Sequence, residues 1–373
     1  MPSFDKKVNK VFFELLKAGL WGNEVRLLGN DDIDFEDVYS LAEHQSVVGL
    51  VASGIECVTD IKLPQVINLQ FVGATLQLEQ RNRAMNEYLR KLISQLRSAG
   101  ISAVLLKGQG LAKSYEKPLW RACGDIDLFL SEEDYTKAQQ YLKPLASSVE
   151  PEETYKKHLG MTIDGWVVEL HGNLYSSLSR RIERTLDEIY SETFYKGELR
   201  QWDNGGVQVY LMSKENDTVY VFTHILQHYF HGGIGLRQIC DWCRLLWAYR
   251  SELNVNLIER RLKKMGLISE WKSFAFFAVN DLGMPEEAMP LFENKSKWCK
   301  KAYAIKEYVI KAGNFGHRNM EYVKNKPYLL RKLISFKNTI KEVRLHLTTF
   351  PLDTNRFFFY YITIRLKAMM AGE

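Results

Sequence analysis

Two aspartates one residue apart, and a glutamate further along, are the residues best suited to chemistry. Asp125-Ile126-Asp127 lies in an apolar run that predicts a β-strand, in which alternate residues point to the same face. Asp125 and Asp127 would then project together while Ile126 faces the core. Carboxylates this close repel each other, so a cation is expected between them. Two Mg²⁺ ions roughly 3.5–4 Å apart would suit the pair, with Glu169 as a third oxygen ligand.

A hairpin is predicted to carry Glu169. Asp164-Gly165 separates two runs of alternating apolar and polar residues, which is typical of a two-residue β-turn. The resulting register pairs Gly160 with Glu169 on the polar face, where the glycine leaves space above the glutamate. His171 shares that face and is expected to support Glu169. Contact with substrate, or a hydrogen bond to His158 across the hairpin, are the alternatives for His171.

A glycine turn precedes the aspartates. Lys107-Gly108-Gln109-Gly110 joins a predicted strand, Ile101 to Leu106, to the start of a helix. Free backbone N–H groups and the helix dipole at such a start favour phosphate. Arg121 could hold phosphate oxygens with its fork of donors, and Lys107 could do so as a point charge. Lys107, Gly108, Gln109 and Arg121 are therefore the candidate nucleotide-binding residues.

The order of these pieces resembles a known family. Residues 105–108 read Leu-Leu-Lys-Gly, Arg121 follows, residues 124–128 read Gly-Asp-Ile-Asp-Leu, and residues 168–171 read Val-Glu-Leu-His. This pattern is similar to the uncharacterised nucleotidyltransferase family, which is related to the polymerase-β superfold. The likeness covers about residues 101–175, and the flanking helical regions, including His44, resemble the family more loosely.

The resemblance implies roles for the carboxylates. Asp125 and Asp127 would be metal ligands, and Glu169 would be the third carboxylate or the base that activates an acceptor hydroxyl. The glycine-serine pair of the wider superfold is Gly108-Gln109 here. The serine contact to phosphate is therefore missing, although the Lys-Gly form resembles this particular family.

The periodicity, together with the resemblance, predicts an α+β fold. A small mixed β-sheet nucleotidyltransferase core, residues 101–212, is expected between an N-terminal helical region, residues 1–100, and a C-terminal helical domain, residues 213–373. Asp34 is predicted to cap one N-terminal helix, and Gln65 to Arg97 is predicted to form a long amphipathic helix. Ser131 is predicted to cap a helix that runs through Leu142.

Polar residues in the C-terminal half give further site candidates. His224, His228 and His231 share one helical face, which favours either a zinc site, the lining of a cleft facing the sheet, or packing within the helices. Arg237 and Asp241 lie four residues apart and are expected to form an ion pair on the helix surface. The resemblance places this pair beside the substrate site.

Composition limits the possible classes of protein. The chain has 46% apolar and 25% charged residues, a net charge of +5 and no apolar run of the roughly 18–20 residues that span a membrane. Five scattered cysteines are typical of reduced thiols, so a cytoplasmic location is expected. The lone pair Cys240 and Cys243 is interpreted as packing. Lys295 to Arg344 is rich in lysine and arginine, which favours a solvated helical surface over an anionic partner.

These observations favour an enzyme that moves an NMP group from an NTP to an unidentified acceptor with two Mg²⁺ ions. The main alternative is a catalytically degenerate nucleotide-binding or scaffold protein of the same fold, which the missing serine favours. A nucleic-acid-binding protein that uses the basic C-terminal third is a further, less favoured alternative. Its affinity for RNA would fall steeply with salt.

Overall fold

The N-terminal third is helical, as its periodicity predicts. The computed structural model describes residues 5–28, 33–313, 340 and 343–370. The N-terminal helices are α1 (Lys6–Trp21), α2 (Phe35–His44), α3 (Val48–Ile55) and α4 (Gln65–Ser98). The Asp34 side chain accepts hydrogen bonds from the backbone N–H groups of Glu36 and Asp37, which confirms the predicted cap. Helix α4 ends one residue beyond the predicted Arg97.

A seven-stranded mixed sheet follows, which confirms the α+β fold class. The strands are β1 (Ala103–Leu106), β2 (Asp125–Leu130), β3 (Ser148–Val149), β4 (His158–Ile163), β5 (Trp166–His171), β6 (Leu199–Asn204) and β7 (Val207–Met212). Their order is β3-β4-β5-β2-β1-β7-β6. Strands β2 and β5 run parallel, whereas β1 and β2 run antiparallel.

The predicted hairpin is present as β4 and β5. Its register pairs Ile163 with Trp166 and Gly160 with Glu169, as the Asp164-Gly165 turn predicts. A second hairpin, β6 and β7, was not predicted, although Gly205-Gly206 lies at its turn and both glycines have positive φ. This hairpin extends the sheet beyond β1.

Helices cover the sheet and make up the described C-terminal part. Helices α5 (Gly108–Ala112), α6 (Glu132–Leu142) and α7 (Arg180–Phe194) lie between the strands. The later helices are α8 (Lys214–His231), α9 (Leu236–Ala248), α10 (Val255–Met265), α11 (Ile268–Leu282), α12 (Ser296–Ala312) and α13 (Pro351–Met370). Ser131 caps α6 as predicted, because its Oγ accepts from the Asp134 N–H. Residues 314–339 of the basic segment lie outside the described residues.

The two faces of the sheet belong to different parts of the core. Ile126 and Leu128 of β2 pack with apolar residues of α4 and α6. Phe129, on the opposite face, packs in a larger cluster that includes α1 to α3 and α7 to α12. Asp125 and Asp127 alternate with Ile126, so they face the same side as Phe129. The carboxylates therefore point toward the C-terminal helices.

Two smaller predictions concern cysteines and membranes. Cys240 and Cys243 are buried free thiols in α9, which confirms their interpretation as packing residues. Within the ranges that the structure describes, no helix combines the length and the apolar character needed to cross a bilayer.

Candidate active site

Three carboxylates converge on neighbouring parallel strands. Asp127 of β2 lies beside Glu169 of β5 in the sheet register, and Asp125 lies two residues before Asp127 on the same face. One carboxylate oxygen from each residue lies within 4.8 Å of the other two. The convergence predicted from Asp-x-Asp and the hairpin is therefore present. Asp127 is only 2% exposed, so its charge needs a nearby partner.

Cationic and imidazole groups of the chain surround these carboxylates. Lys107 Nζ lies 3.1 Å from Asp127 Oδ1, and His171 Nε2 lies 2.8 Å from the same oxygen. His158 Nε2 lies 3.1 Å from Glu169 Oε2, and His171 Nε2 lies 3.5 Å from that oxygen. His171 therefore contacts both Asp127 and Glu169, and His158 contacts Glu169 as well as pairing with His171 across the hairpin.

The pKa values of the cluster show its electrostatic imbalance. Repulsion by Asp127, together with burial, raises the pKa of Asp125. Burial would raise the pKa of Glu169 as well, but hydrogen bonds with His158 and His171 lower it well below its usual range. Burial opposes the charge of Lys107, yet Asp127 raises the lysine's pKa well above its ordinary value. Asp125 thus remains the carboxylate with the least compensation, which suits a site for an added cation.

The glycine turn places Lys107 under backbone strain. Lys107 has φ 48° and ψ −139°, and Gly108 has φ 44°, so a non-glycine residue adopts a conformation that glycine prefers. Such strain costs about 1–3 kcal/mol and is concentrated at functional sites. The strained residue lies between the end of β1 and the start of α5, and its ammonium lies beside Asp127. Helix α5 after the turn has only five residues.

Gln109 points away from the carboxylates. Its Nε2 donates to Asn82 Oδ1 at 2.7 Å, and Asn82 donates in turn to the carbonyl oxygens of Leu119 and Arg121. Gln109 is 4% exposed and therefore joins α5 to α4 through its side chain. Sequence reasoning missed Asn82, although a polar residue within the apolar stripe of α4 was a signal.

Arg121 and Asp241 form a buried ion pair. Arg121 Nε and Nη2 donate to the two Asp241 oxygens at 2.9 and 2.6 Å, and Tyr115 Oη donates to Asp241 at 2.7 Å. The surface pair expected between Arg237 and Asp241 is wrong, because Asp241 is 3% exposed and pairs with Arg121 from 120 residues earlier. Arg237 Nη1 donates to the Ala122 carbonyl instead. Both arginines therefore line the site from within the fold.

Two adjoining cavities meet at the carboxylates. The smaller lies between the glycine turn, α8 and α9, and its polar lining includes Arg121, Arg237 and Gly108. The larger lies over β4, β5 and α8. The lining of the larger cavity includes polar and aromatic side chains, namely Lys156, His158, Glu169, His171, Asn173, Tyr175, Tyr220, Gln227 and His228. Both cavities touch Lys107, Asp125 and His224.

The α8 histidines line the cleft at two of their three positions. His224 Nε2 lies 3.3 Å from Lys107 Nζ and 3.2 Å from His228 Nε2. Burial lowers the pKa of both rings, to about 3 for His228, so both are neutral at pH 7. His231 is exposed and contacts the Tyr361 ring. In the described part of the chain, the side chains that converge as three or more ligands do not include an α8 histidine.

Two features near Glu169 and the larger cavity depart from the expectations or were missed. The space above Gly160 is not empty, because Glu150 Oε2 lies 2.7 Å from where a Cβ of residue 160 would stand. Tyr220 lies one helical turn before His224 on α8 and lines this cavity. The spacing of four residues between Tyr220 and His224 could have predicted that shared face.

Comparison with known proteins agrees with this geometry. Residues 31–276, more than half of the chain, match the family model described as uncharacterised nucleotidyltransferase. A structural likeness is found with an antigenic nucleotidyltransferase-like protein from Paracoccidioides brasiliensis. It has 16% identity over 48% of this chain and 90% of that chain, and its TM-score of 0.30 is too low to carry an argument. The search of curated proteins gives no match. On the strength of the family model, this chain belongs to the uncharacterised nucleotidyltransferase family.

Proposed function

We propose that this protein transfers an NMP group from an NTP to an acceptor hydroxyl, using divalent metal ions at Asp125, Asp127 and Glu169. The observation that carries the proposal is the convergence of these three carboxylates at the junction of two cavities. A transferase needs separate places for the nucleotide and the acceptor, with the reacting atoms between them. The two adjoining cavities supply that arrangement.

The carboxylates fit Mg²⁺. They offer the hard oxygen ligands that this ion prefers. Asp127 repels Asp125 and raises its pKa, and a bound cation would relieve that repulsion. Bound ions would stabilise the attacking and leaving oxygens of an in-line displacement. The lowered pKa of Glu169 favours its role as a charged ligand over that of a proton acceptor. We therefore propose that water, rather than Glu169, accepts the proton of the acceptor hydroxyl.

We assign the phosphates of the nucleotide to the smaller cavity because of its cationic lining. Lys107 and Arg237 line it, together with the Gly108 backbone at the start of α5. Lys107 is paired with Asp127 in this structure, so an ion that neutralised Asp127 would release the ammonium toward a phosphate. Arg121 lines the same cavity, but its Nε and Nη2 donate to Asp241, so we assign it a positioning role rather than a contact with phosphate.

The larger cavity fits the acceptor. Tyr175, Asn173 and Gln227 supply hydroxyl and amide groups that bind and orient a polar molecule, and His171 holds Asp127 and Glu169 in place beside it. The cavity also contains Lys156 and Glu153, so its lining carries both signs of charge. A polar acceptor with hydroxyl groups therefore matches this lining better than an apolar one does.

Calorimetry with Mg²⁺ and each NTP tests the proposal. The natural chain should bind NTP only with the metal, and an Asp125→Asn, Asp127→Asn variant should lose that binding. Asp187→Asn, an exposed substitution of the same kind on α7, should retain it. Asp127→Asn alone should abolish transfer once an acceptor is found, without unfolding the chain. Unchanged turnover in that variant would exclude the assignment.

A degenerate scaffold of the same fold is the second candidate. It is favoured by Gln109, which replaces the serine of the wider superfold and is bound to Asn82 rather than directed at the cavity. A folded natural chain that binds no NTP with Mg²⁺ would support this candidate over the transferase. RNA binding that falls steeply with salt would instead support a role for the basic C-terminal segment.

A further inference from the structure

A second group of metal-binding side chains lies beside the three carboxylates. His158, Glu169 and His171 each offer one ligand atom within 4.8 Å of the others. The two histidines face each other directly across β4 and β5, with ring centroids 4.8 Å apart. Both Nε2 atoms approach the same oxygen of Glu169, at 3.1 and 3.5 Å. Rigid paired strands therefore hold two imidazoles and one carboxylate around one point.

The donor types of this group differ from those of the aspartate pair. Two imidazole nitrogens and one carboxylate oxygen favour Mn²⁺, Co²⁺ or Zn²⁺ over Mg²⁺, which prefers oxygen alone. The present separations of 3.1–3.5 Å are hydrogen-bond distances. An ion entering here would replace the shared protons and draw the ligands to about 2.0–2.2 Å.

The surroundings leave room for further ligands. The side chains of His158, Glu169 and His171 are 26%, 27% and 14% exposed, and all three line the larger cavity. Three protein ligands with an open side resemble a site that keeps positions for water or substrate. Asp127, by contrast, is almost fully buried behind them.

We infer that His158, Glu169 and His171 form a second cation site, selective for a transition-metal ion, which shares Glu169 with the aspartate site and opens into the larger cavity. An ion held there presents free coordination positions to an oxygen atom of the molecule that occupies the cavity. The site does not depend on the proposed nucleotidyl transfer, because it would bind an ion in a protein of this fold that transfers nothing.

Titration of the metal-stripped full chain with Co²⁺ tests this site, with visible absorption and calorimetry as readouts. His158→Gln should weaken Co²⁺ binding by at least about tenfold, a loss that removal of even a supporting group can cause. His231→Gln, the same substitution at an exposed position, should leave it unchanged. The Asp125→Asn, Asp127→Asn variant should still bind Co²⁺ through the histidines. Equal Co²⁺ affinity in the natural chain and His158→Gln would overturn the inference.

A measurement on the unmodified protein covers the case in which a variant does not fold. Pulsed EPR of Mn²⁺ bound to the natural chain should show coupling to imidazole nitrogen. At saturating Mn²⁺, bound ion without nitrogen coupling would overturn the inference, because every bound ion would then lie on carboxylates alone. This outcome leaves the proposed function intact. Conversely, a natural chain that binds no NTP would still show the nitrogen coupling.

Discussion

The buried pair of Arg121 and Asp241 gives the sharpest prediction about the site. Asp241→Asn removes the charge that two guanidinium donors and the Tyr115 hydroxyl contact at 2.6–2.9 Å. The Arg121 and Asp241 side chains are only 6% and 4% exposed, so water cannot replace the lost partner. A second guanidinium, Arg237, lies nearby, and burial and Arg121 lower its pKa. The variant would therefore leave a charge without compensation in a desolvated place.

The expected loss of stability follows from this burial. Removing one partner of a buried pair costs about 3–5 kcal/mol, because the remaining charge stays desolvated. That is a large fraction of the roughly 5–15 kcal/mol by which typical proteins are stable. Replacing both partners with apolar residues, as in Arg121→Met with Asp241→Leu, should recover much of the loss. The double variant leaves neither charge of the pair behind, so any remaining loss reports on Arg237 and the Tyr115 hydroxyl, which both interact with Asp241.

Urea unfolding of the natural chain and both variants measures these changes. Glu133→Gln is a matched control, because Glu133 and its partner Lys137 are 78% and 46% exposed, and such a pair contributes about 0–1 kcal/mol. NTP affinity with Mg²⁺ should be measured on each folded protein. One result would refute this reasoning: Asp241→Asn lowers the free energy of unfolding by less than about 1 kcal/mol, while Arg121→Met abolishes NTP binding. The Arg121 guanidinium would then bind phosphate rather than stabilise the fold.

Three further predictions concern single residues. Burial raises the pKa of Glu183 from 4.5 to about 7. The contribution of this shift to the free energy of unfolding is therefore complete below pH 4.5, and about 3 kcal/mol of stability is lost as the pH rises through 7. Thermal unfolding between about pH 5 and 8 should show this slope in the natural chain but not in Glu183→Gln, and equal slopes would refute it. Gln109→Ala should cost about 1–3 kcal/mol by leaving Asn82 unsatisfied, yet keep NTP affinity; a selective loss of affinity in calorimetry would contradict this. Lys107→Met should strengthen Mg²⁺ binding without nucleotide by about tenfold, since Lys107 competes for Asp127, and should weaken NTP binding. Unchanged Mg²⁺ affinity by calorimetry would exclude that competition.

Local spacing predicted the elements that carry the carboxylates. A two-residue turn at Asp164-Gly165 admits one favoured register, so pairing Gly160 with Glu169 followed from the turn alone. Strand alternation likewise placed Asp125 and Asp127 on one face. Such rules act over a few residues, where chain connectivity leaves few choices.

Contacts between distant segments could not be predicted in the same way. Asp241 has several candidate partners by charge, and the one nearby in the chain, Arg237, is not the arginine that holds it in a bidentate pair. Selection of Arg121 depends on how α9 packs against the turn before β2, which is a tertiary property. Gln109 and Asn82 are a similar case, because 27 residues separate them.

Lys107 connects the strain of the fold with the proposed chemistry. Glycine would adopt its backbone conformation with less strain, and glycine does occupy the next position. The backbone strain at this position therefore accompanies a side chain that places an ammonium beside Asp127. That ammonium neutralises part of the carboxylate cluster, which reduces the repulsion that Asp125 and Asp127 would otherwise impose on the folded chain.

A divalent ion would relieve the same repulsion more completely, so the ammonium and the ion compete for Asp127. An NTP that arrives with its metal supplies both a cation for the carboxylates and a phosphate for the displaced lysine, whereas a free NTP supplies only the phosphate. The geometry of Lys107 thus gives a physical reason for the proposed requirement for metal in nucleotide binding.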